Sequence, residues 1–198
     1  PEVRAAWRAA LLVFQEEGAE VVDVDVPLPS MSMYRNIQRP EATLAHIQQG
    51  WFHARAADYT AGVREVLLKG QQIPAVDYLQ AQYERRIFSS TVRTAMQRVN
   101  ALVLPTMPIP AITVDEIDQQ ISIDGVPEES TAALLRLTRA FNLSGLPAIS
   151  LPCGFTTNGL PIGLQLAGKP FEEAMILRIA HAYQQLTDWH RREIGTKA

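Results

Sequence analysis

The chain has 198 residues, 47% apolar and 20% charged, which suits a globular protein and is long enough to bury a core. Its formal net charge of -3 offers nothing to a polyanion, and its 18 basic residues are scattered rather than gathered in a stripe, so no nucleic-acid partner is expected. No apolar run approaches the length of a membrane span, and the single Cys153 excludes an intrachain disulfide framework, so a reducing, cytoplasmic setting without a membrane partner is expected.

The first residue is Pro1 rather than a start methionine, and it runs straight into a helical pattern. This is read as a chain whose natural beginning lies upstream; methionine removal before proline is the alternative. Val3, Trp7, Ala10, Leu11 and Phe14 make one helical stripe over residues 2–17, and Gly18 follows as a stop. Val22, Val24 and Val26 alternate with Asp23 and Asp25, the period of a half-buried strand, until Pro27 and Pro29. Residues 31–73 are helical in composition, with Gly50, Gly62 and Gly70 as punctuation.

A long helix is expected from Pro74 to Val99, with Val76, Leu79, Tyr83, Ile87, Val92, Met96 and Val99 as its buried stripe. Ala101–Leu104 is apolar throughout and reads as a strand covered on both faces. Pro105, Pro108 and Pro110 then force an extended connection. Ile121–Gly125 reads as a small hairpin or loop excursion, and Thr131–Asn142 as one helix closed by Ser144-Gly145. Ala148–Phe155 and Ile162–Ala167 flank Asn158-Gly159, a strong hairpin signal. A last helix opens at Glu172-Glu173, carries Ile176, Ile179, Ala180, Tyr183 and Leu186 as its stripe, and ends near Trp189–Arg192. One mixed α/β domain over residues 1–198 is the simplest organisation.

The residues hold no recognisable catalytic centre of their own. There is no Gly-x-Ser-x-Gly elbow, no Ser-x-x-Lys pair and no adjacent pair of glycines to gather amide groups around an oxyanion. Ser89-Ser90 reads as a solvated helix face. Cys153 has no charged neighbour within its run and reads as a small buried hydrophobe. His46, His53, His181 and His190 lack metal-ligand spacing, and His181 reads as a packed, hydrogen-bonded helix residue. Asp115, Glu116 and Asp118 lack the alternation of a calcium loop. No metal site and no cofactor are expected, since Gly-x-Gly-x-x-Gly and Walker patterns are absent as well.

Two strings carry a resemblance: Phe141-Asn142-Leu143-Ser144-Gly145-Leu146-Pro147 running on to Phe155, and Gly159-Leu160-Pro161-Ile162-Gly163-Leu164-Gln165-Leu166-Ala167-Gly168-Lys169-Pro170-Phe171. They resemble the C-terminal signature of amidase-signature enzymes, a family that includes amidases and one of the glutamyl-tRNA amidotransferase subunits. Ala101–Pro108 resembles that family's strand and Pro-Thr-x-Pro turn, and the likeness covers nearly the whole chain. It implies the C-terminal part of an α/β/α sandwich around a mixed β-sheet. It also implies a small-molecule amide substrate in the intact enzyme, with a nucleophilic serine, a relay serine and a lysine lying upstream of these residues, so that none is carried here.

On this reading the chain contributes fold and pocket wall, lacks activity alone, and needs a missing N-terminal half as partner; a homo-oligomer stays open. The alternatives are part of a tRNA-dependent amidotransferase subunit, or a non-catalytic module of a split enzyme. Thr106 and Met107, just past a strand, and Asn142 are the candidates for lining a substrate pocket. Gly145, Pro147, Gly154 and Gly163 are expected to serve turns, strand ends and close backbone approach, and Gln165 to make structural hydrogen bonds within an apolar strand.

Overall fold

The computed structural model describes residues 1–194; Lys197, one of the scattered basic residues, lies outside them. In chain order the elements are α1 (Glu2–Glu16), α2 (Met31–Gln48), α3 (Trp51–Ala54), α4 (Ala61–Gln71), α5 (Ala75–Ala95), β1 (Ala101–Pro105), β2 (Gln120–Ile123), β3 (Val126–Glu129), α6 (Ser130–Leu135), α7 (Thr138–Ser144), β4 (Ala148–Phe155), β5 (Pro161–Gly168) and α8 (Glu173–Leu186). They form two compact units, Pro1–Leu28 with Thr91–Ala198, and Pro29–Ser90.

The first unit is built on a three-stranded antiparallel sheet in the order β1-β5-β4. Because side chains alternate across a strand, register sorts the sheet into two faces. Val103, Ile149, Leu151, Ile162, Leu164 and Leu166 share the face covered by α1 and α8, where Val3, Ala10, Ala180 and Tyr183 complete the core. Trp7 on α1 also donates its indole N–H to the Val103 carbonyl at 3.2 Å. Gly154 sits where a side chain would collide with α1, since a Cβ there would lie 2.9 Å from the Ala6 Cβ.

The hairpin joining β4 to β5 has a five-residue loop, longer than a tight turn, with Gly159 at φ 77°. The tight turn lies elsewhere. Ile123 pairs with Val126 across Asp124 (φ 52°) and Gly125 (φ 86°), the two left-handed residues that a twisted two-residue hairpin turn requires.

Several expectations are corrected. Residues 22–26 form no strand: Asp23 and Asp25 are exposed and Val24 and Val26 half-buried, but among the described residues no neighbouring strand supplies the ladder. Ala101–Pro105 is a strand, yet an edge one in which Leu102 alone is buried and the rest are half-buried. Thr131–Asn142 is two helices rather than one, broken at Arg136-Leu137. Ala132, Ala133, Ala140, Phe141 and Leu143 are buried there, while Leu134, Leu135 and Leu137 are half-buried.

The second unit is helical. Ser30 caps α2 by accepting from the Met33 amide at 3.0 Å, and Thr60 caps α4 in the same way from Val63. α2 and α4 cross closely at Gly70, where an added Cβ would strike the Thr43 hydroxyl and lie 2.5 Å from the Arg39 carbonyl oxygen. Thr43, itself buried, donates to the Leu67 carbonyl at 2.9 Å and so ties the two helices at the same point. Around the short α3, His46 Nδ1 lies 2.8 Å from the Tyr59 hydroxyl and packs edge-on against Trp51.

The long helix forms as expected, but its orientation does not follow the expected stripe. Val76, Leu79, Tyr83 and Ile87 are exposed and Ala81 and Phe88 are buried in their stead, whereas Val92 and Met96 of the expected stripe are buried. The sequence offers apolar residues on more than one side of α5, and periodicity alone does not choose between them.

Candidate functional site

The face of the sheet turned away from α1 and α8 is where polar chemistry collects. Leu104, Gln165 and Ser150 are aligned across β1, β5 and β4, and Gly163 lies two residues before Gln165 on the same face. Thr106 extends the β1 ladder by donating its amide to the Gly163 carbonyl at 2.8 Å. Its Oγ1 lies 2.6 Å from the Ser150 Oγ, so hydroxyls from the two outer strands meet over the central one. Gly163 makes that meeting possible: a Cβ there would stand 2.6 Å from Thr106 Oγ1 and 3.0 Å from Ser150 Oγ.

The pair shares one hydrogen bond, which leaves one hydroxyl proton for a further acceptor. Gln165, one register step away, is 5% exposed, and its Nε2 has no hydrogen-bond partner. An unsatisfied buried donor costs about 1–3 kcal/mol. Thr106, Ser150 and Gln165 thus bring three polar side chains to this face of the sheet, with the Gln165 Nε2 sealed from solvent.

The other residues singled out from sequence are placed as follows. Met107 is half-buried in the turn directly after Thr106. Asn142 is exposed on α7, and among the described residues no hydrogen bond ties it to the Thr106–Ser150 pair. Gly145 ends α7 in the left-handed conformation, φ 70°, with its amide on the Phe141 carbonyl. The Pro147 carbonyl accepts from the Gly168 amide at 2.9 Å, closing the start of β4 onto the end of β5. The sequence does not single out Ser150. Its only signal is its alternation parity with Pro152, and that points to Gln165 only once the strand register is known.

Other titratable groups serve structure. The Thr113 backbone amide and hydroxyl both donate to Glu116 in a capping box and hold its carboxyl below the ordinary value. His181 is exposed on α8, which corrects the packed role expected for it. Among the described residues no group of His, Cys, Asp and Glu side chains could hold a metal ion. One shallow groove of about 150 Å³ lies beside His46 and Trp51, and another of about 330 Å³ beside Val13, Cys153, Tyr183 and Trp189. Neither is lined by the hydroxyl pair.

Burial pushes the Cys153 thiol up to about 11, and burial followed by the neighbouring Cys153 pushes the Tyr183 phenol up to about 12. For an acid with a raised folded pKa the folded chain holds its proton longer. The associated stability is present below pH 9 and is lost as pH rises from 9 toward 11. Cys153→Ala should flatten that decline in urea titrations. At pH 8 the native thiol should react with iodoacetamide at least about tenfold more slowly than the urea-unfolded chain, since the thiolate is the reactive form. Equal rates would refute the buried, inert thiol.

The arrangement can now be set against known proteins. The family model described as Amidase matches residues 1–177. The chain belongs to the amidase family. It is 38% identical to an amidase of Pseudomonas putida over 194 residues, which cover 97% of this chain and 41% of that protein. It is 36% identical to a glutamyl-tRNA(Gln) amidotransferase subunit of Myxococcus xanthus, covering 97% of this chain and 43% of that protein. Among solved structures, a crystal structure of an amidase superposes with a TM-score of 0.82 at 28% identity, over 93% of this chain and 42% of that one. This amidase-family chain thus spans about two fifths of the length of the relatives it matches. Its strands and helices are those of an α/β amidase-signature structure.

Proposed function

We propose that this chain is the C-terminal part of an amide hydrolase that converts a carboxamide to an acid and ammonia or amine. It supplies fold and one wall of the substrate pocket and is inactive by itself. The observation that carries the reading is the family match through residue 177 of a chain that spans about 41% of the Pseudomonas putida amidase. The chemistry present agrees. Thr106 and Ser150 offer hydrogen-bond donors, but among the described residues no hydrogen bond joins either to a base that would make it a nucleophile. The serines and lysine that the family resemblance implies lie outside these residues. Thr106 and Met107, at the end of β1, are the pocket wall in this reading.

Purified chain incubated with propionamide or benzamide should release no ammonia above a heat-treated control. Sustained turnover by the chain alone would refute the assignment of the catalytic groups to another part of the protein. The alternative, part of a tRNA-dependent amidotransferase, keeps its place because the Myxococcus xanthus relative is almost as similar in sequence. The two separate once the catalytic part is supplied: an amidase hydrolyses simple amides unaided, whereas a transferase requires a partner holding its tRNA-bound substrate.

A further inference from the structure

Along α5 runs a stripe of exposed apolar side chains. Val76 is 69% exposed, Leu79 64% and Tyr83 53%, and their i, i+3, i+7 spacing sets them in line along one side of the helix. Ile87, 52% exposed, continues the line by one more turn. Ala81 and Phe88, on other sides of α5, are buried, so the helix is apolar on both its inner and its outer sides. Single exposed hydrophobics are ordinary, but a row over three turns is a contiguous patch of the kind that marks an interaction surface. Helix stability does not account for the row either, because valine and tyrosine are poorer helix formers than the alanine or glutamate a solvated face would carry.

The stripe has a polar rim. Gln80 Nε2 donates to Glu84 Oε1 at 3.0 Å, and the Arg86 guanidinium lies 5.6 Å from the Tyr83 ring centre. An apolar centre within a polar rim is the anatomy of a protein–protein contact.

Resting on the reading of the chain as part of an amide hydrolase, we propose that Val76, Leu79 and Tyr83 form the seat for the complementary portion of the amidase domain. The share of length argues for this occupant: the Pseudomonas putida relative extends well beyond the 41% this chain matches. The sheet argues the same way, because β1 and β4 are both open edges and exposed strand edges are normally paired or covered. A second copy of the chain is the competing occupant.

The test co-expresses the full, tagged 198-residue chain with the part of the Pseudomonas putida amidase outside the matched region and measures capture. The wild-type chain should capture that part. Leu79→Glu and Tyr83→Glu should each weaken capture at least tenfold, and Leu79→Met should retain it. Leu177→Glu, at an exposed position on α8, should change it less than twofold. Circular dichroism of each variant establishes that it folds, and Val76→Ser replaces any variant that does not. Undiminished capture by the glutamate variants would overturn the proposal while leaving the amidase reading in place. Failure of the wild-type chain to capture would overturn the proposal, whereas the amidase reading stands or falls on the turnover test. A self-associated wild type that Leu79→Glu dissociates, with no capture, would assign the stripe to a second copy and overturn the proposal.

Discussion

Leu166→Ala should lower the stability of the first unit by about 3 kcal/mol, within the usual 2–5 kcal/mol for deleting a buried leucine. Leu166 is on β5, the central strand, fully buried between Val103 on one side and Ile149 on the other. The truncation removes apolar burial and leaves a cavity. That cavity is walled by paired strands and by the helices of the same core, which can collapse into it only in part. A urea titration followed on amide resonances of the first unit measures the change. A loss below about 1 kcal/mol would show that the site relaxes freely and that this core is not close-packed.

Gly70→Ala should destabilise the second unit by about 1–3 kcal/mol, although alanine is the better helix former by about 1 kcal/mol. The two effects oppose each other, and contact geometry decides the sign. The new methyl would meet the Thr43 hydroxyl and stand 2.5 Å from the Arg39 carbonyl oxygen. A side chain could rotate away; a helix carbonyl moves only with its helix. Separating α2 from α4 would also break the hydrogen bond from Thr43 to Leu67. Thermal unfolding of the variant, followed on resonances of the second unit, should show a lower midpoint. An unchanged or raised midpoint would mean that α2 shifts at little cost.

Much of the local structure was legible because its signals are local. The stripe of α1, the acidic start of α8, the left-handed stop at Gly145 and the hairpin around Asn158-Gly159 each depend on residues a few positions apart. What failed depended on partners distant in sequence. Val22–Val26 has the alternation of a strand, but a strand exists only when another lies beside it. The Thr131–Asn142 pattern reads as continuous, and the break at Arg136-Leu137 leaves no glycine or proline to announce it.

The candidate site divides in the same way. Thr106 and Gln165 could be named from the turn after a strand and from a polar residue in an apolar run. Ser150 could not, because it joins them only through the register of β4 on β5 and the vacant side-chain position at Gly163.

By itself, the sequence determined the family, the hairpin at its centre and the absence of a recognisable catalytic motif, since each is written in contiguous residues. Only the tertiary structure decided that two hydroxyls meet over Gly163 and that Val76, Leu79 and Tyr83 face outward. Both depend on which surfaces are brought together. Helical periodicity marks an apolar stripe, but burial depends on what packs against it.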